Sequence, residues 1–239
     1  MSIPSTPDLE HAVDCAVCGE PLVYGDEPRT LACRLCGAGQ ETMIWCPAGH
    51  FVCDTCHGAS ALDVAARALE ASSSADPGAL LEQLLAHPRL AMHGPEHHGI
   101  VAGVIVAAVR NAGAVVPDDA IGKALSRGGK VPGGWCGYYG ACGAAIGVGV
   151  AVSVLTEATP LKGPQRSKAL AATSAALARM IDDQPRCCKR ASRIAVDTAV
   201  EVLRDELGIG LERSDRPACS YSARNAQCPE DVCPYFTAP

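Results

Sequence analysis

The sequence predicts a mainly α-helical protein. A small zinc-ribbon-like module leads, followed by an all-α domain that ends in an irregular, cysteine-rich tail. Three observations predict this. Closely spaced Cys and His pairs crowd residues 15–57 with little apolar sequence between them. From residue 60 onward, Ala- and Leu-rich segments repeat their apolar positions at helical spacing. Residues 212–239 then lack any period and carry three cysteines and four prolines.

The 14 cysteines fall into two sets of seven, separated by the 79 residues between Cys56 and Cys136. That gap divides the chain into a module over 1–58, connecting helices over 59–89 and a helical domain over 90–239. In the module, Cys15-x2-Cys18-Gly and Cys33-x2-Cys36-Gly each set two thiolates on one tight turn. Two such turns make a four-thiolate site. Cys46, His50, Cys53 and Cys56 supply a second set, with His57 competing with His50 as the nitrogen ligand. Zinc is the expected occupant of both. Spacing allows sequential or interleaved pairing, and metal binding would be what folds a segment this poor in core.

Ser60–Ser72 and Gly78–His87 read as short amphipathic helices around a Ser/Pro/Gly loop at 72–78. His97–Ala112 is apolar on nearly every face and predicts a central buried helix. Asp118–Ser126 follows behind Pro117. Ala141–Glu157 is apolar almost all round, and its glycines permit close helix contact. Ser167–Ile181 and Cys187–Leu207 complete the set, the last capped by Gly208.

The net charge of −6 sits entirely in the first 60 residues, which hold eight acids and two bases; the remainder holds 18 of each. Such a module repels a phosphate backbone, which excludes nucleic acid as its partner. The start, MSIPSTPDLE, has no signal-peptide pattern. Gly143–Leu155 is too short for a bilayer span, so no membrane role is expected. A cytoplasmic chain keeps its thiols reduced, and the cysteines therefore point to metal or redox chemistry rather than to disulfides.

Four motifs carry chemistry in the helical domain. Met92-His93-Gly94-Pro95-Glu96-His97-His98 sets three imidazoles around one helix start. Pro132 to Gly147 is a glycine-rich loop that carries Cys136 and Cys142 into an apolar helix, where a thiolate or an anion is favoured. Arg186-Cys187-Cys188-Lys189-Arg190 flanks two thiols with three cations. Cys219-x8-Cys228-x4-Cys233-Pro234 is closer to iron–sulfur than to zinc spacing.

The combination of MHGPEHH, VPGGWCGYYGACGAAIG, PRCCKR and CPYF behind a cysteine-rich ribbon resembles a prokaryotic family of unknown function, from Cys15 to Phe236. The GACGAAIG block is also similar to a family named for its C–GCAxxG–C–C pattern. The resemblance implies one fold over 90–239 and supplies no activity.

The residues themselves point to an enzyme. Seven thiols exceed the needs of one zinc site and suit a [4Fe–4S] cluster ligated from Cys187, Cys188, Cys219, Cys228 and Cys233. Cys136 or Cys142 would be nucleophile or sulfur carrier, with His93, His97 and His98 as bases. Lyase or sulfur-transfer chemistry on a small molecule is the first expectation. A metal or electron carrier, or an all-zinc interaction module, is the alternative. A homo-oligomer or a redox or sulfur-donor protein is a possible partner.

Overall fold

The computed structural model describes residues 15–237 except 16, 19, 55, 57–59 and 88. Strands β1 (Val23–Ala32) and β2 (Gly39–Trp45) form an antiparallel hairpin. The register pairs Val23 with Trp45 at the open end and Ala32 with Gly39 at the turn. The turn is the Cys33–Cys36 knuckle, closed by Gly37 N–H to the Cys33 carbonyl at 2.8 Å. Gly37 sits at φ 72°, the left-handed region that the residue after a CxxC turn requires. Both strands are mostly exposed, and a lone two-stranded hairpin is marginal in water. Its stability must come from the thiol groups at its ends and from contact with the helices. Cys33, Leu35, Cys53 and Cys56 join the helical core, and Gln83 Nε2 donates to the Arg34 carbonyl at 3.0 Å.

Eight α-helices follow among the described residues. α1 (Ala61–Ala71) starts at Ser60, whose hydroxyl accepts from Asp63 N–H. α2 (Pro77–Leu85) starts at Asp76, whose carboxylate accepts from Gly78 and Ala79 N–H, with Pro77 in the first turn. α3 (Glu96–Asn111) is the axis of the bundle, buried at every position from His97 to Val109. It packs against α1, α2, α4 (Ala120–Gly129), α6 (Gly143–Leu155) and α8 (Cys188–Leu207). α7 (Gly163–Ala178) lies outside on α6 and α8, burying only Ala172 and Ala176. Among the described residues no helix is long and apolar enough to cross a membrane.

Every helix expected from the sequence forms, with shifted ends. α7 begins four residues earlier than Ser167, because Pro164 is accommodated in its first turn instead of breaking it. α4 runs on to Gly129, since Gly128 meets the backbone of α3. The four-residue helix α5 (Trp135–Tyr138) was not expected within the glycine loop. A Cβ on Gly128 would stand 2.6 Å from the His98 carbonyl oxygen and 2.7 Å from Gly99 Cα. Gly128→Ala should therefore push α4 off α3 and cost about 1–3 kcal/mol by urea unfolding. An unchanged midpoint would mean that this crossing is not tight.

The tail after α8 has two 3-10 turns, Ser222–Arg224 and Glu230–Val232, and is otherwise irregular. Burial of Tyr221, Asn225 and Tyr235 seats it on the start of α8. The Lys189 ammonium lies 4.6 Å from the Tyr221 ring centroid, and Arg193 lies 5.2 Å from that of Tyr235.

Candidate functional site

Two groups of side chains in the N-terminal module can each hold a metal ion. Cys15, Cys18, Cys46 and His50 form one; Cys33, Cys36, Cys53 and Cys56 form the other; within each, all ligand atoms lie within 4.8 Å. Cys18 and Cys46 sulfurs are 3.5 Å apart, Cys36 and Cys53 sulfurs 3.7 Å, and His50 Nδ1 is 3.7 Å from Cys46 Sγ. Tetrahedral metal–sulfur bonds of about 2.3 Å put ligand atoms about 3.8 Å apart, so the spacing fits a single ion. His57 lies outside the described residues.

The pairing is interleaved, and the hairpin dictates it. Residues 15–18 precede β1 and Cys46 follows β2, so both stand at the open end. Cys33 and Cys36 are the turn at the other end. Ten residues of β1 span roughly 33 Å, so the two knuckles cannot share one ion. Within the second group, burial opposes ionisation of Cys33, but the N–H groups of Cys53, Cys36 and Leu35 outweigh it and bring that thiol down to about 7. Cys56 is pushed up, by burial and by the Cys53 and Cys36 thiols. Four such thiols ionise together only when a cation joins them.

In the helical domain, a cavity of about 600 Å³ opens where three helices begin. His93, His97, His98, Cys136, Cys142, Cys187 and Cys188 line it, together with Trp135, Asp182, Gln184, Arg186 and Arg190. The seven C-terminal cysteines do not share one site. Cys187 instead stands in a wall between this cavity and a narrow cleft of about 10 Å³, lined also by Cys219, Cys228 and Cys233. Cys188 faces the cavity and is absent from the cleft, so the expected ligand set is divided. A cleft this small admits one ion or one water.

The histidines share a pattern. His97 Nδ1–H donates to the Gly94 carbonyl at 3.1 Å, and His98 Nδ1–H to the Val131 carbonyl at 2.9 Å. His93 Nε2–H donates to Asn225 Oδ1 at 3.3 Å, and that oxygen also accepts from Gln227 N–H. Each ring is thereby fixed in one tautomer with the other nitrogen bare. His97 Nε2 and His93 Nδ1 are buried without a partner. Burial, reinforced by the Lys189 ammonium, drives His97 down to about 3, and burial with the Arg186 guanidinium lowers His93. These rings are neutral acceptors at pH 7, not the freely exchanging imidazoles that the sequence suggests.

The thiols also depart from expectation. Burial pushes Cys142, Cys187 and Cys188 up, even though Ala144 and Ala145 N–H favour the thiolate of Cys142 and Arg190 that of Cys187. Desolvation outweighs the helix ends. Two of the three flanking cations are already engaged. Lys189 Nζ donates to the Leu85 carbonyl at 3.0 Å, and Arg190 to Asp182 and the Pro185 carbonyl. Arg186 remains at the cavity. Sequence reasoning missed Asn225, because an asparagine in an aperiodic tail gives no sign that it fixes a histidine 132 positions away.

No curated protein and no solved structure matches the chain. A family model matches residues 66–236, more than two thirds of the chain, and covers most of the helical region and the tail but not the hairpin module. The match does not extend to the cysteine-rich ribbon that the resemblance from Cys15 to Phe236 included. Over the residues that build the cavity and the cleft, the chain belongs to the family of unknown function DUF5714.

Proposed function

We propose that the helical domain is an iron–sulfur-dependent enzyme of lyase or sulfur-transfer type, with the cavity as its active site and a small molecule as its substrate. One observation carries the reading. The thiols of Cys136, Cys142 and Cys188 and the rings of His93, His97 and His98, drawn from three distant segments, line one cavity large enough for a substrate. Cys142, at the start of α6, is the nucleophile or sulfur carrier. The His98 ring packs against Gly143, beside it, through the Nδ1 edge that bonds Val131, and its other nitrogen, Nε2, is the acceptor for the proton. The cluster takes its ligands from Cys187, Cys219, Cys228 and Cys233, with the tail drawn back to widen the closed cleft, and Cys187 connects it to the cavity, which Cys188 faces. In this reading the two module sites hold zinc and are structural, because protein fills all four positions of each.

The cleft volume favours a second reading, in which the tail thiols hold a single ion and the protein is a metal carrier or a structural module. Anaerobic purification with iron, zinc and sulfide analysis and an absorption spectrum separates the two. The enzyme reading expects iron and sulfide beyond two zinc ions, cluster absorbance that survives Cys142→Ser, and absorbance reduced by Cys187→Ser. Zinc alone, after reconstitution with iron and sulfide, overturns it.

A further inference from the structure

Cys136, Cys142 and Cys188 line one cavity, but they are not held alike. Cys142 caps the start of α6 and Cys188 is the first residue of α8; both are half-buried. The two helices pack against each other, which fixes both thiols. Of the three, only Cys136 is exposed. It belongs to α5, a four-residue helix that buries none of its side chains.

The segment around Cys136 is jointed. Gly134, before α5, and Gly140, after it, sit at φ 83° and 65°. The rings of Tyr138 and Tyr139 are 88% and 72% exposed, so they do not anchor it in the core. Its ends are nonetheless tied together. Tyr139 N–H and Ala141 N–H both donate to the Trp135 carbonyl, at 2.9 and 3.3 Å. Cys136 follows one end of that closure and Cys142 follows the other, which brings the two cysteines near each other. A charge on Cys136 is accordingly felt at the Cys142 thiol. A disulfide needs Cα atoms about 4.4–6.8 Å apart. A thiol on a jointed, unpacked segment meets that demand by a small swing, whereas Cys188 moves only with its helix. Reducing such a bond needs a sulfur that an incoming thiolate can reach, and Cys136 offers it.

We infer that Cys136 is the resolving thiol for Cys142, and that the pair forms a reversible dithiol–disulfide couple that takes up persulfide sulfur and releases it as sulfide. This rests on the reading of Cys142 as the sulfur carrier and gives the substrate a chemical class, a small persulfide R–S–SH. The Cys142 thiolate attacks the outer sulfur of the donor; R–S⁻ leaves, and Cys142 carries S–SH. The Cys136 thiolate then attacks Cys142 Sγ. The persulfide S–S bond breaks, the Cys136–Cys142 bond forms, and the outer sulfur departs with the bonding pair as HS⁻. The two thiols have lost two electrons, and the transferred sulfur has gained them. Two small thiols restore the couple. The first attacks Cys136 Sγ, freeing the Cys142 thiolate and leaving a mixed disulfide, which the second cleaves.

The full chain, purified without oxygen, is tested in two arms. In the first, it is equilibrated in glutathione buffers from reduced to oxidised, free thiols are alkylated, and disulfides are mapped by mass spectrometry. A reversible Cys136–Cys142 disulfide is expected, and it should still form in Cys188→Ser. Trp135, beside Cys136, is one of two tryptophans, and the other, Trp45, is on the hairpin. In a Trp45→Phe background, Trp135 fluorescence should change with the same midpoint, and Cys136→Ser should abolish the change. In the second arm, glutathione persulfide is added to the reduced chain without further thiol, and sulfide is measured above that of the untreated chain. Cys136→Ser should slow its release by about tenfold or more and leave the persulfide on Cys142. Cys142→Ser should neither release sulfide nor form the disulfide. A disulfide between Cys142 and Cys188, no Cys136–Cys142 disulfide at any glutathione ratio, or release from Cys136→Ser at the wild-type rate overturns the proposal. Persulfide held on Cys142 of the wild type without a disulfide removes the role of Cys136 and leaves the sulfur-transfer reading standing. A disulfide couple that takes up no persulfide removes the sulfur-transfer reading and, with it, the substrate class.

Discussion

Stripping the N-terminal module of metal with a strong chelator under reducing conditions should melt residues 15–56 and destabilise the helices behind them. The hairpin has too little buried surface to fold alone, and structural zinc sites contribute about 10–16 kcal/mol each in small peptides. The effect reaches further than the module, because Cys33, Leu35, Cys53 and Cys56 are part of the same buried cluster as α1 and α2. Their loss exposes apolar surface on those helices. Each kcal/mol lost lowers the melting temperature of a chain this size by about 2–4 °C. Fluorescence of Trp45, at the open end of the hairpin, should report the first event, and thermal unfolding by circular dichroism the second. An unchanged thermal midpoint after complete metal removal would show that the module merely rests on the helices.

A comparably large loss is expected from Glu82→Ala. The Arg193 guanidinium is 3% exposed and makes two 2.7 Å bonds to the Glu82 carboxylate. It also faces the rings of Tyr221 and Tyr235 in the tail. Removing the carboxylate leaves a buried cation opposite a second one, Lys189, which burial and its cationic neighbours Arg224 and Arg193 already lower to about 8. Breaking such a pair from one side costs about 3–5 kcal/mol. Glu70→Ala removes a solvent-exposed partner of Arg110 and should cost about 0–1 kcal/mol. Urea unfolding compares the two directly. Because Arg193 is also the seat of the tail, Glu82→Ala should make residues 212–237 more sensitive to protease than the wild type. Equal effects of the two variants would mean that the Glu82 pair is screened like a surface one.

The helices were legible because their periods are strong. His97–Ala112 was expected to be buried all round, and α3 is buried from His97 to Val109. The knuckles were legible because a CxxCG turn is a local object. Pairing between knuckles was not legible, since it depends on which end of a hairpin each occupies, and the spacing of Cys15, Cys18, Cys33 and Cys36 is blind to that. The three histidines and Cys136 and Cys142 were singled out from sequence, and all line one cavity. What sequence missed is burial. The rule that a helix start favours a thiolate is correct locally, but Cys142 and Cys188 are desolvated, and desolvation depends on elements far away in the chain. Likewise, the three cations around Cys187 and Cys188 look equivalent in sequence, and only folding turns Lys189 toward Leu85 and leaves Arg186 at the cavity.

The lateness of Cys219, Cys228 and Cys233 in the chain imposes an order on biosynthesis. During translation, all eight module ligands, up to Cys56, are made before the first residue of α3. The helices can then close on one another. The cleft stays open on one side until residue 233 has emerged, and His93 lacks its Asn225 partner until nearly then. A chain made only as far as the end of α8 can therefore have its module ligands complete and its helices formed, yet leave Cys187 without the three tail thiols of the cleft. The cleft is thus the last part of the described structure to be completed, after every helix around it.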